Sequence, residues 1–271
     1  MTYVKLSTQL QQSFVALLIF SLVMVNSAFA GSNQDTEPKH SAQEITQFAK
    51  KVEKYAASQG ARAFIIARVG RPVKDLPKGI KFTHTAIAVY SSIALANGET
   101  AKGYAIHNLY QKQDKLDTST LVIDYPTDFF WGAEELKSGI IIPSSDLQQR
   151  IISAIASGQN KAIHNANYSV IANPFNNMFQ NCTEHTLNIV NSGIYQTTDI
   201  EQLKSNTKQH FKPQKVKASP FKLLLGNWFV DDVSTKDHSG KVYTTTFTTI
   251  GKYLQNKQLL SKAVVLKDDG S

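Results

Sequence analysis

The sequence predicts an α+β domain with a mostly antiparallel sheet. Three observations carry this. An amphipathic helix pattern comes first, a run of strand patterns follows it, and Asn97-Gly98 between two of those strands is a hairpin turn signal. A second group of helical patterns, each opened by a capping residue, completes the chain.

Ser41-Ala42-Gln43-Glu44 is a capping-box pattern, after which Ile45, Phe48, Ala49, Val52 and Tyr55 recur at helical spacing until Gly60. Ala63 to Val69 is apolar and bounded by Gly70 and Pro72, as a buried strand is. Ile80 to Tyr90 reads as a strand with His84, Ala86 and Ala88 on one face and Thr85, Ile87 and Val89 on the other. Small residues beside a histidine would let a helix approach that face closely. Gly103 to Tyr110 is the return strand.

Leu121 to Ile123 is a further short strand. Thr127 to Lys137 reads as a helix ended by Gly139, and Ile140 to Ile142 as a strand stopped by Pro143. Ser145 caps a helix ended by Gly158, and Thr183 to Ser192 is the helix that follows the only cysteine, Cys182. Thr198-Asp199-Ile200-Glu201 is a second capping box, opening a helix towards His210. Val242 to Ile250 reads as a strand and Lys252 to Ala263 as a last helix.

Lys5 ahead of the apolar run Phe14 to Val25, with Ala28-Phe29-Ala30 before Gly31, has the form of a signal peptide cleaved after Ala30. Residues 31–40 form a polar, disordered lead-in, residues 41–212 the α+β domain, and residues 213–271 a basic C-terminal extension packed on it. The expected place is the periplasm or the exterior, with no stable membrane span after cleavage. Setting Lys5 aside, 28 Lys and Arg against 21 Asp and Glu give a mature charge of +7. The excess is spread along the chain, which argues against nucleic acid as a partner. It reads as an ordinary solvated basic surface, one that could favour anionic lipid or acidic envelope polymers, and the expected substrate is a cell-envelope peptide, glycan or lipid.

One thiol in an oxidising compartment cannot form an internal bridge, so it is either buried or used. At the first turn of a helix the thiol meets unpaired backbone N–H groups and the positive end of the helix dipole, and both favour thiolate. The structural alternative is a small buried hydrophobe. As a nucleophile Cys182 would need a base and a group to orient it, and His84 is the best base. His84 could equally be a core histidine satisfied by hydrogen bonds.

His107 is the candidate orienter, since a two-residue turn at Asn97-Gly98 puts it on the His84 side. That register sets it opposite Ala88, roughly 13 Å from His84, so a bulge or longer loop would have to reset the pairing. Asn108, pointing the other way, is the fallback. Asn181 and the Cys182 N–H are oxyanion candidates. Phe129 and Trp131 are substrate-pocket candidates, although such aromatics are more often plain core. His185, one turn beyond Cys182, has no partners at ligand spacing, so neither a metal nor a cofactor is expected.

Phe82-Thr83-His84-Thr85-Ala86-Ile87-Ala88-Val89-Tyr90 resembles the "H-x-G/A-I-x-V" strand of the circularly permuted papain-like branch, in which the histidine strand precedes the cysteine helix. Asn181-Cys182-Thr183-Glu184-His185 is similar to the "N-C-E-H" of lecithin retinol acyltransferase-like proteins and to the "C-S-E" of bacterial lipid or peptidoglycan hydrolase relatives. The whole mature chain also resembles an uncharacterised family of exported proteobacterial proteins. Ala67-Arg68-Val69-Gly70-Arg71-Pro72, His107-Asn108-Leu109-Tyr110, Asp124-Tyr125-Pro126 and Asn173-Pro174-Phe175 carry that likeness. The papain-like resemblance implies a thiol hydrolase or acyltransferase acting on amide, ester or thioester bonds. A non-catalytic envelope-binding module of the same fold, and a redox or metal role for the thiol, are the rival readings.

Overall fold

A computed structural model describes residues 37–72, 74, 76–95, 97–216 and 233–268. The expected leader, most of the expected lead-in and residues 217–232 of the basic C-terminal stretch lie outside the described residues. Among the described residues no helix is long and apolar enough to cross a membrane.

Helix α1 (Ala42–Ser58) starts at the expected capping box, in which Ser41 N donates to Glu44 Oε2 at 2.8 Å and Glu44 N donates to Ser41 Oγ at 3.3 Å. Strands β1 (Ala63–Val69), β2 (His84–Ala94), β3 (Thr100–Gln111) and β4 (Ser119–Asp124) follow. Then come α2 (Pro126–Trp131), β5 (Glu135–Pro143), α3 (Ser145–Ala156), α4 (Gln159–Ala162), α5 (Cys182–Tyr195) and α6 (Ile200–His210). The chain closes with β6 (Gln214–Lys215), β7 (Tyr243–Thr244), α7 (Phe247–Asn256) and β8 (Leu260–Lys267). The main sheet has the order β4-β3-β2-β1-β5-β8, and every neighbouring pair in it is antiparallel.

Strand alternation sends two separate sets of side chains to the two faces. On one face Phe64, Ile66, Ala86, Ala88, Ile106 and Ile140 pack under α1 and α2. On the other, Ile65, Ala67, Ile87, Val89 and Ile141 pack under α3, α5, α6 and α7. A strand covered on both faces reads as a continuous apolar run, as Ala63 to Val69 does.

Several sequence readings change. The helix expected from Thr127 to Lys137 stops at Trp131, and Gly139 is a strand residue instead of a helix end. A Cβ on Gly139 would stand 2.6 Å from the Phe247 ring and 2.9 Å from Phe82, so glycine is what lets α7 lie this close to β5. The strand expected from Val242 to Ile250 is two residues long. The capping Thr246-x-x-Thr249 then starts α7, which takes in the first part of the helix expected from Lys252, while the end of that pattern belongs to edge strand β8. Asp199, not Thr198, caps α6, accepting from the N–H of Glu201 and Gln202.

Candidate active site

The β2–β3 turn sets which side chains share a face. Ala94 pairs with Thr100, and Leu95 N donates to Glu99 O at 2.8 Å, so three residues, not two, lie between the closing pair. A one-residue difference in a hairpin reverses the face of every side chain on the return strand. Ile87 accordingly pairs with His107, which puts His107 on the α5 face, while Asn108 and Tyr110 share the α1 face with His84. The expected His107 contact to His84 is therefore replaced by Asn108.

Backbone pairing of β2 with β3 runs only from Ile87↔His107 to Ala94↔Thr100. At the other end β2 stays with β1 as far as Arg68↔His84, and β3 stays with β4 as far as Gln111↔Ser119, so the two middle strands fork. Side chains fill the fork. His84 Nε2 and Asn108 Oδ1 are 2.9 Å apart. Asn108 Nδ2 donates to Asp124 Oδ2 at 3.0 Å and to Ile106 O at 3.3 Å, and Tyr110 OH donates to the same Asp124 oxygen at 2.6 Å. The His84 ring stacks on Tyr110, centroids 4.8 Å apart and planes 11° from parallel, and leans on Phe129 at 5.5 Å. The Arg68 guanidinium lies over the rings of Tyr110 and Phe129 and donates to Phe129 O at 2.7 Å.

Burial and then the Arg68 charge push His84 down to about 3, against a smaller upward pull from Asn108, so its imidazole is neutral near pH 7. Burial raises the Asp124 carboxyl, opposed by the Tyr110 hydrogen bond and by Arg68. Tyr110 is held well above its ordinary range, chiefly by burial; Asp124 and Cys182 add to this.

Cys182 opens α5 on the other side of the fork. Asn181 caps this helix by accepting from Glu184 N at 2.9 Å, and the Cys182 Sγ–H points at Thr83 O, 3.9 Å away. The thiol packs with Leu109 and Tyr168. Its neighbours Thr83 and Leu109 are thus next in sequence to His84, Asn108 and Tyr110. Thr186, one turn on, donates to Thr85 O at 3.3 Å and seats α5 against β2.

Several expectations are corrected. The alanine face of His84 carries α1 and α2, not the cysteine helix, because α5 packs on the Ile87 and Val89 side. The Asn181 side chain accepts from Glu184 N as the helix cap and donates to Val170 O at 2.8 Å. Phe129 is fully buried and walls in His84, and Trp131 packs, partly buried, on the same cluster.

Sequence reading missed Arg68, Tyr110 and Asp124. One signal was available: a lone arginine in a buried apolar strand demands a polar environment. It also missed Glu184, which looked like a simple dipole complement. Glu184 is fully buried, forms an ion pair with Lys204 from α6, and is raised to about 7, chiefly by burial.

A second polar group lies on the α5 face. The rings of His164 and His185 are 5.9 Å apart, and Ser119 Oγ is 3.1 Å from His164 Nε2. His185 is pushed down to about 3 by burial and by His164 and His107, and its Nδ1 is buried without a hydrogen-bond partner. Among the described residues no group of three or more His, Cys, Asp or Glu is placed to hold a metal ion.

Residues 55–254 match the family model described as "Uncharacterized protein conserved in bacteria (DUF2145)". No curated protein and no solved structure matches.

Proposed function

We propose that this chain, which belongs to the conserved bacterial family DUF2145, is an exported thiol hydrolase or acyltransferase of the permuted papain-like type. Its substrate is an amide, ester or thioester in a cell-envelope peptide, glycan or lipid. The observation that carries the reading is the fork, where the thiol at a helix start lies against the residue next to His84 and Asn108 holds the imidazole by its far nitrogen. A nucleophile, a base and a polar group orienting the base are the minimum set for acyl transfer.

Because burial and then the Arg68 charge keep the imidazole neutral, the proton stays on sulfur until attack. His84 Nδ1 takes it as the carbon–sulfur bond forms, and N–H groups of the first turn of α5 face the developing oxyanion. The imidazolium then protonates the leaving group as its bond to the acyl carbon breaks. Water or a second acceptor, deprotonated by His84, attacks the thioester carbon; the carbon–sulfur bond breaks, and the imidazolium returns the proton to sulfur.

The test is labelling by a small thiol-directed probe, followed by acyl-ester turnover. The wild type should label at Cys182 and turn over. Cys182→Ala should do neither while keeping its melting temperature. A folded wild type that ignores the probe, together with an alanine variant that melts far lower, would make the thiol structural. N-terminal sequencing of exported protein, with Gly31 first, tests the leader.

One observation favours the rival reading of a non-catalytic envelope-binding module: Cys182 is 5% exposed and His84 is 0% exposed. Equal capture of envelope glycan or lipid by wild type and Cys182→Ala, without labelling, would select it.

A further inference from the structure

We infer that Asp124 is a positioning residue. It fixes the Asn108 carboxamide with its oxygen towards His84, and so confines His84 to the tautomer that carries its proton on Nε2 and its lone pair on Nδ1. The inference extends the proposed use of His84 as a base, and as a catalytic claim it rests on that reading.

A carboxamide can turn either end to its neighbour, and which end faces His84 decides which imidazole nitrogen holds the proton. Two groups settle the matter. Asn108 Nδ2 lies 3.0 Å from Asp124 Oδ2 and 3.3 Å from Ile106 O, and a carboxylate and a carbonyl can only accept. Turning the amide over would set its oxygen against both of them and leave two acceptors facing a third in a buried site. With Oδ1 towards the ring, the nitrogen 2.9 Å away must be the donor, Nε2–H.

Asp124 is itself held. Tyr110 keeps its proton and donates it to the same oxygen at 2.6 Å; burial raises the Asp124 carboxyl, and that hydrogen bond and the Arg68 charge oppose the rise. The chain of hydrogen bonds therefore runs in one direction, from Tyr110 and Asn108 into Asp124 and from His84 into Asn108. Each member is buried, so water cannot easily substitute for a missing one.

The experiment reads the tautomer directly, from long-range proton–nitrogen correlations in protein labelled with ¹⁵N histidine, with His84 assigned by the loss of its signals in His84→Asn. The wild type should show protonated Nε2 and bare Nδ1. Asp124→Asn supplies an amide that can donate to a reversed Asn108, so His84 should become a mixture of tautomers or switch to Nδ1–H. Labelling of Cys182 should then slow by about tenfold or more, the range in which a misplaced general base is felt. Asp124→Glu, which restores the carboxylate, should recover part of the labelling, and Tyr110→Phe should leave the tautomer unchanged.

A wild type with its proton on Nδ1, or a folded Asp124→Asn still wholly Nε2–H, overturns the inference. Should Asp124→Asn fail to fold, the Asn108 side-chain N–H₂ signals of the wild type decide. Slow exchange with water supports the double anchor, and rapid exchange refutes it. A thiol that ignores the probe in a protein whose tautomer behaves as described would sink the hydrolase reading alone.

Discussion

The two faces of the sheet carry polar groups of opposite character. Under α1 and α2, His84, Asn108, Asp124 and Tyr110 form one directed chain of hydrogen bonds. Under α5, the Glu184–Lys204 pair, which Asn188 also meets, sits beside buried atoms with no hydrogen-bond partner, namely Asn188 Oδ1 and His185 Nδ1. A satisfied network holds a geometry, whereas a partly satisfied one responds to charge and water. A fixed geometry around His84 therefore belongs to the first face, and sensitivity to loss of a charge partner chiefly to the second.

The hardest test of that contrast is Lys204→Met. It strands the Glu184 carboxylate in the interior and should cost about 3–5 kcal/mol in urea unfolding, as broken buried pairs do. Adding Glu184→Leu should recover most of the loss, because two apolar side chains need no partner. If the single variant unfolds like the wild type, the pair is better hydrated than its burial implies and the contrast weakens. Asn108→Leu comes next. It leaves His84 Nε2–H without an acceptor and takes one donor from Asp124, for about 2–3 kcal/mol. It should also abolish the single His84 tautomer, which Lys204→Met should leave intact.

Acid sharpens the comparison through signs. His84 and His185 titrate near 6.5 when unfolded and near 3 when folded, so between those values only the unfolded chain takes the proton and stability falls as pH drops. Glu184 runs the other way, since its folded value of about 7 against 4.5 unfolded makes stability fall as pH rises from 4.5 to 7. From these three groups the net slope is about 1.4 kcal/mol per pH unit between pH 4.5 and 6.5, steepening below. His185→Phe should remove one histidine's share of the slope with little change at pH 7, since its Nδ1 bonds to nothing. His84→Phe should remove the same share and also lower stability at pH 7, because Asn108 loses its donor.

How far the site was legible follows from where the information sits. Helix starts were readable where a side chain closes on the backbone three residues away, as Ser41 and Glu44 do. The cysteine's place at a helix start was readable for the same reason, since Asn181 caps locally. The third site residue was not, because it depends on one extra residue in a turn. Asn97-Gly98 reads as a two-residue hairpin, the three-residue turn reverses parity, and His107 and Asn108 exchange faces. Asp124 was invisible as a partner of Asn108 because the pairing of β4 on β3 is a long-range fact. Glu184 was misread because its surface role at a helix N-terminus is plausible until α6 folds over it with Lys204. The C-terminal helix was expected too late in the chain because a Thr-rich stretch has strand propensity, while the Thr246 cap and the close approach at Gly139 favour a helix there.

The smallest effect expected is the most discriminating for parity. His107 is half-buried on the α5 face, paired across the strands with Ile87 and Ile123, and burial and Lys161 lower its titration. His107→Ala should cost less than about 1 kcal/mol, as a partly exposed residue outside the closed network does. It should leave the His84 tautomer and the rate of Cys182 labelling at their wild-type values. The same substitution at Asn108 should disturb both. If His107→Ala slows labelling as strongly as Asn108→Ala, the face assignment fails with it. A side chain on the α5 side of β3 would then be controlling a base on the α1 side, and the hairpin register would have to be the two-residue one.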